Sequence, residues 1–180
     1  MMKHAVFYRN LNLGRRHSPT RAQFEAAFLG AGADSAQSFL TNGTLVFTTG
    51  TGPRARKVLA AANRALQLAC GLKEPAFLRR VDALAALVAS DPFAAVDRAA
   101  VHACCVTFLH ADAVVPDTAA RLSTRGDVEL LAVDGDAVFS LSRRIGSSPG
   151  SPNAYLEKLL GLPATTRAWN TVVRLVAKHA

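Results

Sequence analysis

No apolar run in this 180-residue sequence is longer than Ala83–Ala89, far short of the roughly 20 residues that a membrane-spanning helix needs. No transmembrane segment is expected. Behind Met1, Met2 and Lys3 only Ala5–Tyr8 is apolar before Arg9 intervenes, too little for the core of a signal peptide, so the expected location is the cytoplasm. Cysteine is scarce. The three thiols include the adjacent Cys104 and Cys105, which a strand would point to opposite faces, and no CxxC spacing occurs; they read as reduced packing residues. The five histidines are scattered, with no HxH or HExxH pattern, and neither a metal nor a cofactor is implied. Walker and GxGxxG signatures are missing as well, and Ser147 and Ser148, flanked by Gly146, Pro149 and Gly150, read as a loop and not as a nucleophile elbow. Carboxylates are few in the first half, where Glu25, Asp34, Glu74 and Asp82 stand apart at helices and turns, so no pair suited to acid–base catalysis is evident.

Positive charge is what the chain does have. The net charge is +8, and residues 1–90 hold 12 Lys and Arg against 4 Asp and Glu, whereas residues 91–180 hold 9 against 9. Sixteen of the 21 basic residues are arginine, whose planar fork suits phosphate and carboxylate. An anionic partner fits this excess; an arginine-rich genome would produce it too. With 50% hydrophobic residues, the chain can build a buried core.

Local signals lay out an α+β fold. A strand at His4–Asn10 leads through a polar loop into a helix capped at Ser18 and ending near Leu29. Ala36–Leu40 and Leu45–Thr49 form two strands around Asn42-Gly43, a dipeptide that favours tight hairpins. Pro53 opens a helix reaching Ala69 with Val58, Leu59, Ala62 and Leu66 on one face, and Ala76–Val81 supplies a fourth strand. The first half thus reads βαββαβ, the ferredoxin-like order. A helix at Asp82–Ala89 leads out. Residues 1–90 are expected as one domain, 91–100 as a linker and 101–180 as a second, related βαββ-type part. That part has a strand at Val101–Leu109, a helix near Pro116–Leu122, strands at Val128–Val133 and Ala137–Leu141, and two closing helices, Pro152–Leu160 and Thr166–Lys178.

Three polar stretches could hold a ligand. The first carries Arg9, Asn12, Arg15 and Arg16 ahead of a helix, where anions are favoured. Thr41 and Asn42 sit at the hairpin tip, and Thr166, Arg167 and Asn170 stand at the start of the last expected helix. Each can also be read as ordinary loop, turn or capping chemistry. The βαββαβ order also invites comparison with RNA-recognition sheets, although only Phe47 and Tyr8 could serve as stacking aromatics.

These stretches carry a resemblance. The chain resembles, over nearly its whole length, the bacterial family of domain of unknown function 1697. Its members have a first strand ending in arginine before an Asn-Val-Gly loop, a hairpin with Ser-Gly-Asn, and a late Thr-Thr-Arg-Asn-Trp-Asn-Thr stretch. Here those places hold Arg9 and Asn12-Leu13-Gly14, then Thr41-Asn42-Gly43-Thr44, then Thr165 to Thr171, with Asn153, Tyr155, Leu156, Glu157 and Lys158 on the approach to the last. Ala168 replaces an asparagine of the pattern, Arg15 a second glycine, and the hairpin lacks the Ser-Gly-Asn order. The resemblance implies two α/β parts with a ferredoxin-like first half and brings no established activity.

The expected function is binding of a phosphorylated small molecule, nucleotide or nucleic acid through Arg9, Arg15, Arg16 and the Thr166/Arg167 helix start. The alternatives are an enzyme acting on a small phosphate-containing substrate, which lacks an obvious base, and a protein-interaction module.

Overall fold

The computed structural model describes all 180 residues and divides them into two compact units, Met1–Ala85 with Ala177–Ala180, and Ala86–Val176. In the first unit β1 (Met2–Tyr8), α1 (Arg21–Gly30), β2 (Ser35–Phe39), β3 (Thr44–Thr49), α2 (Gly52–Cys70) and β4 (Ala76–Arg80) build an antiparallel sheet in the order β2-β3-β1-β4. This is the ferredoxin-like order read from the sequence.

Strand alternation decides which side chains meet the helices. On β1, Val6 and Tyr8 join Leu45 and Phe47 of β3, and this face packs on Phe24 and Phe28 of α1 and on Ala55, Val58, Ala62 and Leu66 of α2. The aromatic rings interlock, with Phe28 and Phe47 centroids 5.1 Å apart and Tyr8 edge-on to Phe24 at 5.4 Å. Each such buried ring contributes roughly 1.5–3 kcal/mol relative to exposure. Tyr8 and Phe47 therefore lie in the core beneath the helices, where neither can stack on a base.

Helix ends follow side-chain chemistry. Thr20, and not the expected Ser18, caps α1, because Thr20 and Gln23 complete a reciprocal capping box. Thr51 caps α2 by accepting from the Arg54 N–H, and Gly71 at φ +74° closes it. Immediately after β4 the chain enters α3 (Val81–Ala89).

The second unit repeats the plan with one helix fewer. Its strands are β5 (Ala103–Leu109), β6 (Val128–Asp134), β7 (Ala137–Ser142), a small β8–β9 hairpin (Arg144–Ile145 and Ser148–Pro149), and β10 (Ala164–Ala168); α4 (Pro152–Leu160) precedes β10 and α5 (Trp169–His179) follows it. The sheet order β10-β5-β7-β6 places the last strand beside the first, as in the first unit. Leu109, Val128, Leu130 and Val138 pack under Leu156 of α4. The helix expected near Pro116–Leu122 does not form: the segment is irregular, and its one large apolar side chain, Leu122, is 54% exposed. Without an apolar stripe to bury, so short a helix cannot offset the cost of its nucleation. In residues 91–100, Phe93 is buried against Phe139 and Trp169, with centroids 5.9 and 5.5 Å away.

Candidate functional site

Two of the three polar stretches meet in the first unit. Past Tyr8 the chain is tied to the β2–β3 hairpin by Tyr8 N–H to Gly43 O and Leu13 N–H to Thr41 O, both 2.9 Å, and to the start of β4 by Arg9 N–H to Pro75 O at 3.0 Å. Leu11 is buried beneath the hairpin tip. At the tip the Thr44 hydroxyl donates to Asn42 Oδ1 at 2.8 Å, which braces the turn, while Thr41 and Asn12 stay exposed.

The charges in this region are unequal. The Arg9 guanidinium is paired with Glu74 at 3.1 Å. Arg16 Nε–H donates to His17 Nε2 at 3.1 Å, and Arg15 projects into solvent; neither has a carboxylate partner. Free positive charge on the loop is thus carried by Arg15 and Arg16.

The remaining expected site residues belong to the second unit and are placed differently from the reading. Thr165, Thr166 and Arg167 are on strand β10, paired with Phe108, Thr107 and Val106 of β5, and the helix begins only at Trp169. There is no Thr166/Arg167 helix start. The consecutive β-branched threonines favour the extended chain, and β5 provides the partner. Thr166 Oγ1 lies 2.7 Å from Thr107 Oγ1 and 3.0 Å from Asn153 Oδ1. Asn153 in turn donates to Glu157 Oε1 at 2.7 Å, and Glu157 Oε2 accepts the Ala164 N–H at 3.3 Å. This chain of bonds fastens α4 to β10. Arg167 is buried and donates from Nη1 to Thr165 Oγ1 at 2.8 Å and to the Thr166 carbonyl at 3.0 Å; burial pushes its pKa down to about 10, so it stays charged at neutral pH. Asn170 is exposed at the rim of a shallow depression of about 240 Å³ that His102 and Cys104 also line.

A third feature escaped the sequence reading. Along α2, Arg56, Leu59, Ala60 and Asn63 form a stripe beside the buried one and face the helix side of β4, enclosing a cleft of about 600 Å³. His4 lines it from β1. The i, i+3, i+4, i+7 spacing and a histidine in register with Val6 and Tyr8 on β1 were the available signals.

The family profile described as "Protein of unknown function (DUF1697)" matches residues 1–139, most of the chain. The chain belongs to the DUF1697 family. The matched span includes the loop and hairpin of the first unit, and β10 lies beyond it. No curated protein matches. Among solved structures, a conserved bacterial protein, SP0830 from Streptococcus pneumoniae, is similar with a TM-score of 0.69 and 17% identity, covering 98% of this chain and 97% of that one. At that identity the likeness speaks to the fold. No helix of this DUF1697 protein is long and apolar enough to cross a membrane.

Proposed function

We propose that this DUF1697 protein binds an anionic, phosphate-bearing ligand at the loop formed by Asn12, Arg15 and Arg16 beside Thr41 and Asn42. The observation carrying this reading is that Arg15 and Arg16 lack carboxylate partners on a loop already tied to a neighbouring hairpin. A hydrogen bond from arginine to phosphate contributes about 1.5–3 kcal/mol when well formed, and a backbone fastened in advance loses less freedom on binding. Arg9 has a subordinate part because Glu74 competes for it. Arg167, buried and bonded within its own strand, is a structural residue in this proposal.

The test is an NMR titration of the full chain with ATP and, separately, with a single-stranded oligonucleotide. Saturable shifts at the amides of residues 12–17 and 41–43, lost in the Arg15→Ala/Arg16→Ala double variant, are expected. If the oligonucleotide binds, its affinity falls with salt at a log–log slope of roughly −1.5 for two neutralised phosphates. A flat salt dependence removes the nucleic-acid version, and no saturable shift with either probe removes the proposal.

A further inference from the structure

Along β4, from Ala76 beside Tyr8 to Arg80 beside His4, the cleft between α2 and β4 has the make-up of a ligand site. It exists because α2 directs Ala55, Val58, Ala62 and Leu66 into the core, leaving the adjacent stripe to overhang the edge strand. The residues that could have closed the gap are small: Ala60 on the helix and Ala76 on the strand. About 600 Å³ is within the size range of small-molecule sites.

Its polar groups all face the same deficiency. His4 is only 2% exposed, its ring is stacked on Phe47 with centroids 5.6 Å apart, and its Nδ1 has no hydrogen-bond partner. A buried polar atom left unsatisfied costs about 1–3 kcal/mol and calls for an explanation. The Tyr8 hydroxyl donates to Asn63 Oδ1, which occupies the acceptor of that amide and leaves its NH₂ group to donate. Arg56 has no acidic partner, whereas Arg80 across the cleft is already paired with Asp82. The unused groups are thus the Arg56 guanidinium, the Asn63 NH₂ group and His4 Nδ1, beside an apolar wall of Leu59, Ala60 and Leu78. Donors without acceptors call for an anion, and the wall calls for a hydrophobic body attached to it.

We propose that this cleft is a second ligand site, for a small organic anion whose carboxylate or phosphate head is held by Arg56 and His4 while its apolar body lies against Leu59 and Leu78, toward Asn63. The site shares no residue with the Arg15/Arg16 loop, and either assignment can fail without the other.

The experiment is NMR detection of the His4 ring signals in the full chain during titration with phenyl phosphate, benzoate, inorganic phosphate and benzyl alcohol. Phenyl phosphate or benzoate shifts them saturably; inorganic phosphate binds at least about tenfold more weakly for want of a body, and benzyl alcohol gives no saturation. The stronger of the two aromatic anions identifies the head group. Arg56→Ala weakens binding about tenfold, the loss of one charge-assisted contact, and Ala60→Leu abolishes it by filling the cleft. Both positions are exposed, so the fold tolerates both changes, and the amides of residues 12–17 respond to ATP as in the wild type. His4 signals unmoved by both aromatic anions, or moved equally in the wild type and the two variants, would overturn the proposal.

Discussion

Leu11 packs so closely beneath Gly43 that a Cβ on the glycine would lie 2.5 Å from the leucine Cβ. The position also has φ +73°, a conformation that disfavours any side chain. Gly43 is therefore required twice, by the turn and by the contact that seats the Arg15/Arg16 loop. Gly43→Ala is expected to destabilise the first unit by about 1–3 kcal/mol, read as a lower urea midpoint with an unchanged slope. A variant as stable as the wild type would mean that the loop is not anchored at this point.

Asn42-Gly43 also illustrates what the sequence could reveal. A two-residue signal with a steric cause located the hairpin, and the strong helical stripe of α2 between Pro53 and Gly71 located that helix. Where two local readings competed, tertiary partners decided. Thr165-Thr166 serve as well for capping as for a strand, and β5 selected the strand. Pro116–Leu122 was compatible with a helix start but had nothing to bury. Whether a given arginine is free depends on a partner distant in sequence, as with Arg9 and Glu74, and periodicity carries no such information. The α2 cleft is the space between two elements, and the spacing that marks its helix side does not show that β4 faces it across a gap.

Glu74 tests the electrostatics of the loop. Its pair with Arg9 is about one-third exposed on each side, so Glu74→Gln should cost less than about 1 kcal/mol. The same change removes the carboxylate that competes for the Arg9 guanidinium. Affinity for ATP at the loop should rise a few-fold at low ionic strength, and the gain should shrink as salt is added. Unchanged affinity at all salt concentrations would place Arg9 outside the site.

His4 gives the first unit a pH dependence. Burial is the main cause of its lowered pKa; the Met2 backbone carbonyl opposes this, Arg80 adds to it and Asp82 opposes it. His179 is lowered in the same sense, by burial and then by Lys178 and Lys3. As pH falls through about 6.5, the unfolded chain takes up protons that the folded chain refuses, and stability declines; above that range the contribution is fully present. Urea midpoints at about pH 7.5 and about pH 5.5 should differ less in His4→Phe, which keeps a ring beside Phe47 but cannot titrate. An identical pH response in that variant would assign the effect to other groups.

Arg167 separates a structural from a binding role. Arg167→Met removes the donors to Thr165 and Thr166 inside the second unit and should cost about 1–3 kcal/mol in stability. The loop's response to ATP should be unaffected. Normal stability with lost ATP binding would reverse the assignment.

In the second unit, residues 110–127 occupy the stretch where the first unit has α1, and they are secured at separate points: the Tyr155 hydroxyl on the Ala120 carbonyl, the Leu122–Glu129 bridge, and Ser123 with Asp127. Amide protons between those anchors have no helical ladder to shield them and should trade for deuterium early, while those of β5 and β7 exchange only on larger opening. The two related sheets would then differ in how they breathe at this place: beside α2 the first carries a helix that opens as a unit, and beside α4 the second carries a strip that loosens piece by piece.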